Sequence, residues 1–407
     1  MMRVLLSTIG SRGDVQPLVA LALQLKAIGH EAHLCVPPDF CDWIKSLEIL
    51  VTPIGPKVRS IGKAGPAATP PTPEQRRQMM ESMVAMQFET ITTAAQNCDI
   101  IVAATALQIA ARSVAEKMGI PYIFVAYSPV VLPSLHHAPP PLPPLPGETP
   151  LPATTDNLER WAHDTKRFND TFGAALNALR VSMDLTPVND VRRHIFTDRP
   201  WLAADPELAP WPDPSDQAVF QTGAWILPDA RPLSPELEAF LDAGEPPVYF
   251  GFGSTRAPAD LSRVMIQTAR ALGRRAIISQ GWADLSLIDN EPDCLVVGDV
   301  NLPALFKQVA AAVHHGGAGT TTLAARAGVP QVIISQLYDQ HYWAKRVQHL
   351  GIGTAPAPGT PTADSLTSAL EHALRPDAAI QAQSIATTVR SDGVQVAAQR
   401  LMRTVAS

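Results

Sequence analysis

The residues of this chain that could do chemistry gather at glycine-rich turns. The run Val313-His314-His315-Gly316-Gly317-Ala318-Gly319-Thr320-Thr321-Thr322 follows a short apolar segment, Val309 to Val313, that reads as a buried strand, and Thr321 to Ala327 has helical composition. A strand, a glycine turn and a helix start bring unpaired backbone N–H groups and the positive end of a helix dipole to one place. Phosphate suits that place, and the missing side chains at Gly316, Gly317 and Gly319 let oxygens approach closely. A bare glycine turn would read as a tight strand-to-helix connection and nothing more. The adjoining His315, a further donor, and the Thr320 hydroxyl favour an anion site.

Two more glycine-rich strand ends occur, Gly10-Ser11-Arg12-Gly13-Asp14 and Gly251-Phe252-Gly253-Ser254. None of the three is a Walker loop, since no G-x-x-x-x-G-K-[ST] is present, and none completes G-x-G-x-x-G, so ATPase and dehydrogenase readings lose ground. Asp339-Gln340 falls just past the strand Gln331 to Ser335. A carboxylate and an amide there could hold vicinal hydroxyls, or could cap the helix Tyr338 to Leu350.

The elements that must position these residues alternate strand and helix. Arg3 to Thr8 reads as a strand, Leu18 to Ile28 as an amphipathic helix and Glu31 to Val36 as a second strand, a βαβ opening. Thr72-Pro73-Glu74-Gln75 starts a long helix with a capping box. Met79, Met83 and Met86 lie on one face of it, and read first as core and second as a pliable wall for a bulky apolar ligand. Strands are expected at Asp99 to Ala103 and Tyr122 to Ala126, with a helix from Leu107 to Met118 between them.

Pro129 to Pro152 is too rich in proline for regular structure and reads as a long loop over a ligand cleft, with His136 and His137 as surface residues; a polar helix, Asp156 to Leu179, follows. Pro206 to Asp216 is the clearest linker. Beyond it come strands at Val248 to Phe252, Ala276 to Ser279 and Leu295 to Val297, and a helix at Leu261 to Leu272. The tail, Ala378 to Val405, is helical with a break at Asp392-Gly393. The expected fold is α/β: two doubly wound, Rossmann-like domains facing a ligand cleft at the carboxyl ends of their strands.

At 407 residues the chain exceeds one compact core, and 46% hydrophobic with 17% charged residues is ordinary globular composition. A net charge of −6 argues against non-specific nucleic-acid binding. Cys35, Cys41, Cys98 and Cys294 are dispersed, which suits a reducing compartment and carries no zinc signature. The opening Met1-Met2-Arg3-Val4-Leu5-Leu6 runs into a strand with no signal peptide, and no apolar run approaches the ~18 residues of a membrane span. A cytoplasmic protein with no membrane partner is expected.

His314 to Thr320, followed by Ala327-Gly328-Val329-Pro330-Gln331 and then Asp339-Gln340, resembles the donor-binding signature of nucleotide-sugar glycosyltransferases of the two-Rossmann-domain (GT-B) type. Gly10-Ser11-Arg12-Gly13-Asp14-Val15-Gln16-Pro17 is similar to the N-terminal motif of their antibiotic-tailoring and sterol branch. Gln221-Thr222-Gly223-Ala224-Trp225, Gly281-Trp282-Ala283-Asp284-Leu285 and the proline loop most resemble transferases that decorate vancomycin-type glycopeptides. The likeness spans nearly the whole chain. It implies an acceptor domain over 1–205, a linker over 206–220, a nucleotide-sugar domain over 221–380, and helices over 381–407 that return to the first domain.

Carried over by motif position, the resemblance makes Asp14 the general base, in D-x-x-P where many relatives have H-x-x-P. His315, Gly317, Gly319, Thr320 and Ser254 would contact the diphosphate, and Val300 would meet the nucleobase through its backbone. Asp339 and Gln340 would hold sugar hydroxyls, with Ser11 and Arg12 near the phosphates or the transferred sugar. On the second of their two readings from the helix face, and not by motif position, Met79, Met83 and Met86 would face the acceptor. Direct displacement at an anomeric carbon needs a base opposite the departing diphosphate, and Asp14 could also cap a helix beginning near Val15. Such a cap lowers a carboxylate's pKa, which is more tolerable for a phenol acceptor with pKa ~10 than for an alcohol.

The implied activity is therefore inverting transfer of a hexose from a UDP- or dTDP-sugar to a hydroxyl of a hydrophobic natural product, a glycopeptide aglycone or pseudoaglycone. No cofactor or obligatory metal is expected, and a monomer suffices. A nucleotide-sugar epimerase of similar architecture, and a non-catalytic partner of another transferase, are the alternatives.

Overall fold

The computed structural model describes residues 1–59, 72–145, 148–212, 218–255, 260–282 and 285–406. Most of the stretch Gly62 to Pro73, residues 213–217 of the proline linker, residues 146 and 147 of the proline loop, and Ala283-Asp284 lie outside them.

The chain divides into two compact units, one of Met1–Ala204, Pro210–Leu227 and Ser391–Ser407, the other of Asp205–Ala209 and Pro228–Arg390. In the first, β1 (Arg3–Thr8), α1 (Arg12–Ala27), β2 (Glu31–Val36), α2 (Cys41–Ser46) and β3 (Leu50–Pro53) lead into the long helix α3 (Pro73–Ala94). There follow β4 (Ile100–Ala104), α4 (Ala111–Met118), β5 (Tyr122–Ala126), α5 (Asn157–Ser182), α6 (Val191–Phe196), β6 (Trp201–Leu202) and β7 (Phe220–Gln221). All seven strands are parallel, in the order β3-β2-β1-β4-β5-β6-β7. Residues 221–227, expected to open the second domain, belong to this unit, because Phe220 and Gln221 pair beside β6 as its edge strand.

The second unit holds α7 (Pro235–Asp242), β8 (Val248–Gly251), α8 (Leu261–Ala271), β9 (Ala276–Ser279), β10 (Cys294–Val297), α9 (Leu302–Phe306) and β11 (Ala311–His314). It continues through α10 (Ala318–Ala327), β12 (Gln331–Ile333), α11 (Gln340–His349), β13 (Gly353–Thr354), α12 (Ala363–Ala373) and α13 (Pro376–Ala386). Its six strands are also parallel, ordered β10-β9-β8-β11-β12-β13. The last helix, α14 (Gly393–Ala406), packs on α1 in the first unit.

Burial on both faces explains the apolar strands. β4 is buried throughout, and the second sheet separates one cluster around Phe250, Ile278, Val313 and Val332 from another around Tyr249, Ile277, Leu305 and Phe306. In each sheet the chain winds outward one way, returns, and winds the other way, so the order reverses between β1 and β4 and again between β8 and β11. Such switch points are where doubly wound sheets open a crevice at the carboxyl ends of their strands.

Two helix starts differ from expectation. α1 begins at Arg12 rather than Leu18: Ser11 and Asp14 close a capping box ahead of Pro17, so the proline forfeits a bond inside a turn already formed. α4 begins at Ala111 rather than Leu107, because Gln87 of α3 holds the preceding segment, donating from Nε2 to Leu107 O (2.9 Å) and accepting from Ala110 N (3.2 Å). Thr105 adopts φ +74° at the head of that segment, a strained setting for a β-branched residue.

The proline loop is fastened to α5. Trp161 Nε1 donates to His137 O, Asn157 Nδ2 to Leu135 O and Arg167 Nη2 to Pro143 O, all within 2.8 Å. Arg192 of α6 lies buried beside Asp164 and over the rings of Trp161, Phe168 and Phe196. Among the described residues no helix is long and apolar enough to cross a membrane.

Two buried histidines set an acid limit on this fold. His194 and His314 are each held down to about 3, first by burial; the Arg112 and Arg180 guanidinium groups add to it for His194, and the neighbouring His315 for His314. Both stay neutral in the folded chain but gain protons near pH 6.5 when unfolded, so their stabilisation is full above pH 6.5 and is lost as pH falls from there toward 3. At pH 5 each costs roughly 2 kcal/mol. Thermal melts at constant ionic strength should show Tm level from pH 7.5 to about 6.5 and falling from there to pH 5; a Tm flat throughout would contradict neutral burial of the pair.

Candidate functional site

The carboxyl edge of the second sheet carries the chemistry in a row. Reading the strands in spatial order, Val300 follows β10, Gly281 follows β9, Gly253-Ser254 follow β8, His315 to Thr320 follow β11, and Asp339-Gln340 follow β12. His314 pairs in register with Gly251, which sets the His315 turn beside the Gly253 turn at the switch point.

The helix start that follows the glycine turn in this row is that of α10. Its first helical bond is Thr321 N to Gly317 O (3.0 Å), which leaves the N–H groups of Ala318, Gly319 and Thr320 ahead of it. Gly317, the N-cap, has no side chain to fill them. Thr321 and Thr322 turn their hydroxyls back to Gly317 O and Ala318 O.

The His315 ring lies between two glycines. A Cβ at Gly253 would stand 3.1 Å from His315 Cε1, at a backbone φ of +55°, and one at Gly317 would stand 2.6 Å from Nε2. Burial lowers the imidazole to about 4, and the Gly251 backbone opposes the shift only in part. The ring is therefore neutral near pH 7, and its Nδ1 has no hydrogen-bond partner among the described residues.

Gln340 is buried beside this turn, and its Oε1 accepts from Gln336 N (2.8 Å) and Leu337 N (3.2 Å). The acceptor half of the amide thus holds the loop, leaving Nε2 as the half that can meet a ligand. Asp339 stands at the N-cap of α11 without capping it; its Oδ2 accepts from Trp343 Nε1 (3.1 Å). Val300 sits in a turn fixed by Asn301, whose Nδ2 donates to Asp229 O and Arg231 O while its Oδ1 caps α9.

In the first unit Asp14 follows β1, again at a switch point. It is not the helix cap but the third residue of the first turn: its Oδ2 accepts from Ser11 N (2.6 Å) and Ser11 Oγ (3.1 Å), packed against Gly10, where a Cβ would collide with the carboxylate. The expected fall in its pKa is reversed. Burial raises it, and the bonds from Ser11 oppose that only in part. Tyr127, past β5, donates its hydroxyl to Asp14 O (3.0 Å) and pins this turn to the sheet. Arg12 lies over the Trp43 ring at 4.5 Å and reaches Gln16 (3.2 Å).

The methionine stripe corrects the core reading. The buried face of α3 runs through Val84, Gln87, Phe88, Ile91 and Ala94, whereas Met79 is 56% exposed and Met83 half-buried; Met86 packs against the core. No group of three or more His, Cys, Asp or Glu that could hold a metal occurs among the described residues.

Tyr127 and the pair His314–Gln331 were not assigned roles from sequence. The doubled histidine and the glutamine closing Gly328-Val329-Pro330-Gln331 were visible signals, but their partnership needs the β11–β12 pairing.

Two parallel, doubly wound sheets in one chain define the two-unit Rossmann-like class. Residues 4–135 match the Glycosyltransferase family 28 N-terminal domain, and residues 263–396 the Erythromycin biosynthesis protein CIII-like C-terminal domain. The chain is 50% identical to Glycosyltransferase GtfE and 47% to Vancomycin aglycone glucosyltransferase, both of Amycolatopsis orientalis, each over 99% of this chain and 98% of the relative. A solved glycosyltransferase of kitacinnamycin shares the fold at TM-score 0.72 and 21% identity, covering 98% of each chain. The chain belongs to the GT-B nucleotide-sugar glycosyltransferases, alongside those of the vancomycin type.

The Asp14 environment is open to direct measurement. Carboxyl 13C NMR, with Asp14→Asn to assign the resonance, should give a pKa above the ordinary aspartate value. Ser11→Ala removes one donor to the carboxylate and should move it higher still; a fall would contradict the bonding described.

Proposed function

We propose that this protein is an inverting hexosyltransferase that uses a UDP- or dTDP-sugar and glycosylates a hydroxyl of a glycopeptide aglycone or pseudoaglycone, with Asp14 as general base. The carrying observation is the order of groups along the carboxyl edge of the second sheet. Val300, then Ser254 and His315, then Asp339-Gln340 follow β10, β8, β11 and β12 in spatial order. That is the order base, diphosphate, sugar. Four strand spacings separate β10 from β12, roughly 19 Å, a reach suited to an extended nucleotide-sugar.

In this reading the acceptor oxygen bonds to the anomeric carbon as the bond from that carbon to the diphosphate oxygen breaks. The electron pair leaves on the diphosphate, and the hydroxyl proton passes to Asp14. The uncapped start of α10 and the neutral His315 receive the growing negative charge through N–H donors, with Ser254 and Thr320 hydroxyls beside them. A raised pKa makes Asp14 a stronger base than an ordinary aspartate, which extends its range from phenols toward alcohols. Gln340 Nε2 and the Asp339 carboxylate hold sugar hydroxyls. Ser11 orients Asp14, Arg12 lies near the transferred sugar, and Met79, Met83 and Met86 offer the acceptor an adaptable apolar surface.

The glycopeptide acceptor rests on the 47%-identical relative, whose name specifies the vancomycin aglycone for that protein. The protein acts as a monomer in the cytoplasm, without a metal.

Asp14→Asn should lower kcat by about 10²- to 10⁴-fold while the donor diphosphate still binds; near-normal turnover would remove Asp14 from the base role. His315→Ala should weaken nucleoside diphosphate binding by roughly 10-fold or more, read by calorimetry. Mass spectrometry of UDP- and dTDP-sugars incubated with and without glycopeptide aglycones decides the class. A hexose mass added to the aglycone supports transfer, whereas a new nucleotide-sugar formed from donor alone marks an epimerase.

A further inference from the structure

The last residue of β11 is a fully buried histidine that the reaction as described leaves unused. His314 Nδ1 accepts a hydrogen bond from Gly316 N (3.1 Å), so the proton of the neutral ring is on Nε2, which donates to Gln331 Oε1 (2.9 Å). Gln331, at the start of β12 and also fully buried, donates from Nε2 to Thr321 O (3.3 Å). Each link is used once, and the chain closes from the turn, through the neighbouring strand, onto the first turn of α10.

Gly316 is the residue this chain grips. It has φ +89°, with its Cα hydrogen face against the Ile333 methyl and the Gln340 backbone, where no side chain would fit. Its peptide direction sets where His315 points on one side and where Gly317 begins α10 on the other. With its N–H committed to His314, Gly316 offers nothing to an anion.

We infer that His314 and Gln331 are positioning residues for the donor diphosphate, holding the Gly316 peptide so that the His315 ring and the N–H groups of Ala318, Gly319 and Thr320 converge before ligand arrives. The inference rests on the diphosphate reading of this turn and adds two residues that touch no ligand. Preorganised donors are worth more than mobile ones because no reorganisation accompanies binding. Loss of the bridge should therefore appear in donor affinity, and acceptor affinity should stay as it is.

The test compares wild type with His314→Leu, His314→Asn and Gln331→Leu, using UDP and dTDP as calorimetric probes and full steady-state kinetics. Asn keeps an acceptor within reach of Gly316 N but cannot span to Gln331; Leu keeps bulk without polarity. His314→Leu should raise Kd for the diphosphate and donor KM about 10-fold or more with acceptor KM within twofold of wild type, and His314→Asn should recover much of the loss. Gln331→Leu should give a smaller shift of the same kind, keeping the test open if His314→Leu does not fold. Wild-type diphosphate affinity in folded His314→Leu or Gln331→Leu, or equal losses in donor and acceptor KM, would overturn the positioning role and leave the donor site standing. Wild type that bound neither UDP nor dTDP would overturn both.

Discussion

A helix cannot satisfy the N–H groups of its own first turn, and at α10 that deficit falls at the reversal point of the second sheet. Side chains of Thr72, Asp156, Asp190, Ser234, Asn301 and Thr362 cap their helices. α1 closes its own start through Ser11 and Asp14. α10 has glycine at the cap, and its Thr321 and Thr322 hydroxyls bond back to Gly317 O and Ala318 O. A cap substitution is worth about 1 kcal/mol to an ordinary helix, so an open start forgoes stability that six other helices collect. What remains is roughly half a positive charge and converging donors at the reversal point of the sheet.

Strand order turns that local deficit into a graded surface. Because every strand of the second sheet runs the same way, all its carboxyl ends lie on one edge, and the connecting loops present their groups in the order of the strands. Separation along this edge is measured in strand spacings, so a loop can change its chemistry without displacing its neighbour. The closure of α1 has a different consequence. Capping engages only one oxygen of Asp14; an ionised carboxylate has about four acceptor positions, so the other oxygen keeps its capacity for a proton.

The strand–helix alternation and both sheets were legible in the sequence, since buried parallel strands read as short apolar runs and Gly119 and Gly328 end their helices in left-handed conformations. Misplacements occurred where a side-chain hydrogen bond, near or distant in sequence, decided the local outcome. Proline at 17 argues for a helix start beyond it, yet the Ser11–Asp14 box closes earlier; Leu107 to Ala110 has helical composition, yet Gln87 of α3 holds its backbone. The candidate site followed the same division. Motif spacing singled out His315, Thr320, Asp339 and Gln340, which follow β11 and β12 at one edge of the sheet, but how the Gln340 amide divides its two ends, and the bonding of His314 with Gln331, depend on which strands and loops become neighbours. Exposure of Met79 was equally hidden, because the methionines flank the buried face of α3 without sharing it.

One physical cause then acts with opposite sign on the two titrating residues of greatest interest. Burial disfavours charge, which raises Asp14 and lowers His315. For the carboxylate this means greater basicity, held in bounds by the Ser11 donors; for the imidazole it means neutrality with a single N–H to give. A protonated His315 would bind a diphosphate more tightly before reaction and also hold the product more tightly afterwards. A neutral ring in a row of backbone N–H groups offers dipoles, whose pull grows as charge localises on the departing oxygen. Differential attraction of this kind accelerates a step, whereas uniform attraction does not, so in the proposed roles desolvation at these two positions would work in the same direction for the transfer.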